Sequence, residues 1–234
     1  MLMTDDELPA VPDCPPPWDL TGWAWIVALR LAPDCAARKA FLDEPAAAAV
    51  HSPFALLMFV DYAASPCGPY RELLFIPGSV PFEDGRRHFT ISRIVVSTWE
   101  SVVNGRRNWG IPKDRARFEV TGPHAANAEE AIRVFAEDGR EMCALRFARR
   151  SFTPRLPVPG ALVPAGLRTL AQRHAGRTFY YAPESSGWVR PGRLLDWSFD
   201  PALFPDLGGA SVLAACRVES FRLRFPVARI VARF

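Results

Sequence analysis

Gly105-Arg106-Arg107-Asn108-Trp109-Gly110-Ile111-Pro112-Lys113-Asp114 is the stretch on which the reading of this chain turns. It carries one of only two lysines, Lys39 and Lys113, in a chain with 26 arginines. A surface cation can be either residue, so a drift toward arginine is harmless there. A reactive primary amine has no such substitute, because guanidinium stays charged and forms no carbinolamine or imine. The surroundings of Lys113 are also unusual: two glycines and a proline bracket it, and Trp109 lies four residues upstream. An exposed lysine with a pKa near 10.4 is about 0.1% neutral or less at pH 7. Burial among groups such as Trp109, Ile111 and Pro112, or a neighbouring cation, lowers that pKa and frees the nucleophile. Arg106, Arg107 and Arg115 could supply that positive potential. Asp114 would act the other way if its carboxylate reached the amine.

A second stretch, Gly68-Pro69-Tyr70-Arg71-Glu72, lies upstream and leads into Leu73-Leu74-Phe75. Strand alternation puts Tyr70 and Glu72 on one face. A carboxyl beside a phenol on an inner wall can move protons or orient a substrate oxygen. Arg30 closes an apolar strand and could take a substrate carboxylate in a two-pronged grip. Asp61 reads as a turn residue.

The bulk composition narrows the field. At 234 residues, 49% apolar and 23% charged, the chain is that of a soluble globular protein. A net charge of +3, with arginines paired rather than in runs, does not suggest nucleic acid. His51, His88, His124 and His174 lie far apart without metal-site spacing, so neither metal nor other cofactor is expected. Five scattered cysteines without a CxxC pair suit a reducing, cytoplasmic setting. Acidic residues follow Met1-Leu2-Met3, where a signal peptide wants basic ones. The longest apolar runs, Gly22–Leu29 and Phe54–Val60, are too short to span a bilayer as helices.

The element pattern is mainly β. Residues 1–19, rich in Pro and Asp, read as an irregular arm that lies across a neighbouring subunit, and 20–234 as one domain. Strands are expected at Trp23–Leu31, Phe54–Tyr62, Tyr70–Ile76, His88–Val96 and Ala116–Thr121. Glu137-Asp138-Gly139-Arg140 joins Ala131–Ala136 to Met142–Arg149 as a hairpin, with Cys143, Leu145 and Phe147 on one face. Thr178–Ala182, Trp188–Trp197 and Val212–Phe225 continue the pattern, with a phase slip near Ser220 that signals a bulge. Asp34 is expected to cap a helix over Ala36–Leu42, and Ser97 with Glu100 to form a capping box for one running to about Asn108. Residues 153–166 hold four prolines and two glycines and read as a linker. Many strands and few short helices point to a barrel or sandwich.

The two quoted stretches together resemble the acetoacetate decarboxylase-like family. Gly68-Pro69-Tyr70-Arg71-Glu72 is similar to its G-P-Y-x-E segment, and Gly105 to Lys113 to its G-R-x-x-x-G-x-P-K loop, in the same order. The resemblance is carried by about residues 20–150. It implies an antiparallel double-cone β-barrel with helices outside, homo-oligomeric assembly, and a lysine that forms a Schiff base with a small keto acid. Lys113 would be that lysine and Glu72 the pocket carboxylate. Arg30 would match the substrate-binding arginine, with Tyr70 and Trp109 lining the pocket. Three departures bear on the reaction. Asp114 stands where decarboxylases carry a second lysine, and Arg107 where they usually carry glutamate. Leu56, Leu57 and Met58 stand where they carry an acid. The resemblance thus implies Schiff-base lyase chemistry, with decarboxylation, aldol and dehydration all open. The alternative is a non-catalytic barrel that binds a small molecule.

Overall fold

Alternating apolar and polar residues make most of this chain strand. The computed structural model describes residues 4–122, 129–149, 153–159 and 168–232. The first elements are β1 (Trp18–Arg30), α1 (Glu44–Ala49), β2 (Ala55–Ala64), β3 (Tyr70–Ile76), β4 (Gly78–Pro81), β5 (Arg87–Thr90) and β6 (Arg93–Val96). Then come α2 (Trp99–Trp109), β7 (Lys113–Arg115), β8 (Arg117–Thr121), β9 (Glu129–Phe135) and β10 (Glu141–Arg149). β11 (Leu156–Pro159), β12 (Leu170–His174), β13 (Arg177–Tyr181), β14 (Glu184–Phe199), β15 (Ser211–Phe225) and β16 (Arg229–Ala232) complete the chain.

Eleven strands form one sheet in the order β7-β6-β3-β2-β1-β15-β14-β10-β9-β8, with β11 on β14. Its two edge strands, β7 and β8, are joined by Ala116 alone. The Ala116 N–H donates to Val96 O at 2.8 Å. The sheet therefore curls until its ends meet, and the result is a nearly closed barrel. Pairing is antiparallel except for β6 with β7 and β5 with β12.

Strand parity decides what each face does. Trp25, Val27, Leu57, Phe59, Leu73 and Phe75 point into the barrel and are buried. The alternate set, including Ala24, Val60, Tyr62, Tyr70 and Leu74, belongs to a second core with α2 and the smaller sheet, β16-β13-β12-β5-β4. That second core holds the site.

Several expectations change. The helix over Ala36–Leu42 is only a 3-10 turn at Ala36–Arg38. The helix forms instead at α1, where Asp43 accepts from Ala46 N and Pro45 lies in the first turn. Proline is disfavoured in a helix interior but preset for its start, so it moves the helix downstream. The capping box is absent: Ser97 Oγ accepts from Arg71 N at 2.9 Å, beside β3, and α2 starts from Thr98. The run His88–Val96 breaks at Ile91–Ser92, so that β5 joins the small sheet and β6 the large one. Of the 153–166 linker, Leu156–Pro159 is strand and pairs with β14, while 160–166 lies outside the described residues. The arm packs on α2 of its own chain. Asn104 Oδ1 accepts from Cys14 N at 2.9 Å, and Arg106 pairs with Asp5 at 3.0 Å. Met1 to Met3 lie outside the described residues, and β1 already begins at Trp18. The hairpin at Asp138-Gly139 and the bulge near Ser220 are where the sequence puts them.

Candidate active site

The helix α2 and the strand after it are built to present Lys113. Gly110 ends α2 in the left-handed region, at φ 63°, with its N–H on Arg106 O at 2.8 Å. Glycine takes this conformation without strain. A Cβ at Gly110 would also lie 2.6 Å from Phe179 Cδ2. Pro112 follows, and Lys113 opens β7, a strand rather than the expected loop. The lysine side chain then passes over Gly105, where an added Cβ would lie 2.7 Å from Lys113 Cδ. The two glycines of the quoted stretch thus have separate uses, one to end the helix and one to clear a path for the amine.

Lys113 Nζ donates to Glu72 Oε2 at 2.9 Å and to Ser101 Oγ at 3.0 Å. It also stands 5.1 Å from the centre of the Tyr70 ring. Lys113 and Glu72 are each 4% exposed, so this is a buried ion pair. Tyr62 O–H donates to Glu72 Oε1 at 3.2 Å. Burial, reinforced by the Glu72 carboxylate, holds the Tyr62 and Tyr70 phenols well above the ordinary tyrosine range. Both stay protonated at neutral pH, and Tyr62 remains a donor to Glu72.

Asp114 does not reach the amine. Its carboxylate is clamped between Arg93 and Arg106. Arg106 Nε also donates to Lys113 O at 2.9 Å, which fixes the backbone under the amine. The expected cation near Lys113 is therefore spent on Asp114. Arg107 pairs with Asp13 at the surface, and Arg115 lies over Trp99 and beside Glu137.

These groups open into a cavity of about 510 Å³ on the second-core face of the large sheet. Glu72, Tyr70, Trp109 and Lys113 all line it. Trp109 is buried edge-on to Trp18 and donates its Nε1–H to Pro226 O at 2.7 Å. Arg30 is not part of it: it is exposed at the end of β1, opposite Ser211. The arginine that lines the cavity is Arg168, just before β12, near Ser185 and Ser186. Sequence reasoning also passed over Tyr62 and Ser101. Tyr62 could have been found from alternation along β2, which sets it opposite Tyr70. Ser101 is found only from the helical step that stacks it on Gly105. Asp61 is no turn residue: it lies in β2 opposite Arg71, and the two pair at 3.1 Å. Among the described residues, no three His, Cys, Asp or Glu side chains are grouped to hold a metal, and no helix is long and apolar enough to cross a membrane.

No family model matches the chain, and no curated protein matches it in sequence. Solved structures do match in fold. Acetoacetate decarboxylase from Legionella pneumophila is similar with a TM-score of 0.68 and 14% identity, over 97% of this chain and 93% of that one. An acetoacetate decarboxylase-like enzyme from Sphingomonas wittichii RW1 gives 0.66 and 13%, over 95% of each. The enduracididine biosynthesis enzyme MppR, complexed with the condensation product of pyruvate and imidazole 4-carboxaldehyde, gives 0.62 and 18%, over 93% and 90%. At these identities the likeness is one of fold: the chain has the acetoacetate decarboxylase-like double-cone barrel.

Proposed function

We propose that the chain is a lyase that forms a Schiff base between Lys113 and a keto acid. The observation that carries this reading is the buried Lys113–Glu72 pair facing an apolar cavity. The amine passes a proton to Glu72 and attacks the substrate carbonyl carbon. Glu72 returns a proton to the carbinolamine oxygen, which leaves as water, and an iminium remains. The iminium then accepts the electron pair of the bond that breaks next. In decarboxylation that bond joins the α-carbon to the carboxylate; carbon dioxide leaves, the enamine takes a proton at carbon, and water releases the ketone from Lys113. In the aldol direction the iminium loses an α-proton to a base instead, the enamine carbon attacks an aldehyde, and the aldehyde oxygen takes up a proton as the new bond forms. Tyr62 holds Glu72 in place throughout, and Ser101 steadies the amine. The keto-acid chemistry named for similar structures supports this class of reaction.

The five cysteines, odd in number and scattered without a CxxC pair, suit a reducing, cytoplasmic setting. The second reading, a non-catalytic barrel that binds an apolar small molecule, is favoured by the hydrocarbon lining of the cavity. Borohydride trapping separates the two. Pyruvate or acetoacetate followed by reduction should add its mass to the peptide carrying Lys113. Lys113→Arg should show no adduct and no turnover while keeping its circular dichroism. Absence of an adduct with any keto acid between pH 5 and 9 would falsify the Schiff-base reading.

A further inference from the structure

β1 and β2 lie in the middle of the large sheet, with hydrogen-bonded neighbours on both sides. Apolar side chains there are expected to be buried on both faces. On the barrel face they are: Trp25, Val27, Leu57 and Phe59 are at most 1% exposed. On the other face Ile26, Leu56 and Met58 stay partly accessible, and all three line the cavity beside Lys113. An accessible apolar surface in mid-sheet is unfavourable unless something apolar covers it.

The strand register shows where that surface lies. Glu72 is opposite Val60, which is opposite Ala24. One step along the same face, Leu74 is opposite Met58 and Met58 opposite Ile26; the next step pairs Ile76 with Leu56. From Glu72 the floor continues along β3 to Ile76, about 13 Å at the usual strand rise. It carries no further charge: among the described lining residues only Glu72, Lys113 and Arg168 are charged. A four-carbon keto acid displaces roughly four waters, about 120 Å³ at 30 Å³ each. That is a fraction of the 510 Å³ present, and it would leave Met58, Ile26 and Leu56 wet.

We infer that the substrate is a keto acid with an apolar tail of about five to ten carbons: at about 1.3 Å per carbon, five reach over Met58 and Ile26, and about ten reach the end of that roughly 13 Å of hydrocarbon floor. The keto carbon sits at Lys113 Nζ, and the tail runs over Met58, Ile26, Leu56 and Ile76. The inference rests on the Schiff-base reading above and adds its substrate class.

The test compares 3-oxooctanoate with acetoacetate in borohydride trapping on the wild-type protein, reading the concentration that half-saturates labelling of Lys113. Each buried methylene favours binding about fourfold, so four of them predict a preference of up to roughly 200-fold. A preference of about tenfold or more bears the inference out, since a partly buried tail gains only part of that transfer energy. Equal or tighter labelling by acetoacetate overturns the tail assignment and leaves the Lys113 chemistry standing. No adduct from either acid between pH 5 and 9 overturns the tail assignment, and if pyruvate leaves none over that range either, the Schiff-base reading falls with it. Met58→Asn makes the floor polar and should lower the long-to-short preference at least about fourfold, the transfer energy of one methylene. Ile26→Phe fills the same space and is read the same way should Met58→Asn fail to fold. A preference unchanged in a folded variant places the tail elsewhere and overturns the assignment.

Discussion

Lys113 and Glu72 hold each other in a place where neither is stable alone. Removing one partner of a buried ion pair costs about 3–5 kcal/mol, because the other charge loses both water and counter-ion. Lys113→Met should therefore destabilise the protein by about that much in urea unfolding at pH 7. Adding Glu72→Gln should restore most of the loss without restoring any imine. If the double variant were no more stable than Lys113→Met, the pair would not be the coupled unit described above. At this scale the sequence was informative where chemistry restricts residue type. An amine among arginines marked Lys113, and alternation along one strand marked Glu72 with Tyr70. Arg30 and Arg168 show the converse. Guanidinium groups are common in this chain, and only the course of the strands decides that Arg168 lines the cavity while Arg30 faces solvent.

The helix α2 and the strand β7 act as one device. α2 offers a glycine, the chain reverses at Gly110, and β7 carries the amine back across the gap. Gly105→Ala tests whether the gap matters. Alanine is favoured over glycine in a helix by about 1 kcal/mol. The three atoms nearest the new methyl group all belong to the Lys113 side chain, so it is this buried, paired arm that must give way. The melting temperature should fall, because shifting the buried Lys113 away from Glu72 outweighs that helical gain, and imine trapping should slow by about tenfold, equivalent to about 1.4 kcal/mol in the barrier. Unchanged trapping in a folded variant would mean that the amine does not depend on this path. The elements themselves were legible unevenly. β3 and the Asp138-Gly139 hairpin follow from alternation and turn chemistry. The short strands β4, β7 and β16 were missed, because three or four residues cannot display a period and only their neighbours make them strand. The capping box failed because Ser97 had a competing donor, the backbone of Arg71, 26 residues away in sequence.

At the level of the whole molecule, topology was the least readable feature. β1 pairs with β15 across almost the full length of the chain, and nothing local announces that register. What it creates is a polar site inside the second core, at the wall of the cavity, with the buried rings of Tyr62, Tyr70 and Tyr181 around it. Burial raises the pKa of all three phenols. Burial likewise raises the pKa of the Cys143 thiol in the barrel. In the unfolded chain these groups ionise near their ordinary values, about 10 for tyrosine and about 8.5 for cysteine. Between those values and the raised native ones, the folded state holds more protons than the unfolded state. Stability must then fall as pH rises. Each group contributes a slope of about 1.4 kcal/mol per pH unit, so three tyrosines give roughly 4 kcal/mol per unit above pH 10. Urea unfolding from pH 8 to 11.5 should show a shallow decline from Cys143 and then a steep one. Phenolate absorbance at 295 nm should appear for these three residues only as the protein unfolds. Tyr62→Phe should remove about a quarter of the steep slope, to which Cys143 still contributes its own share. Phenolate forming near pH 10 in a still-folded protein would show that water reaches these rings, and that the site around Glu72 is open rather than sealed.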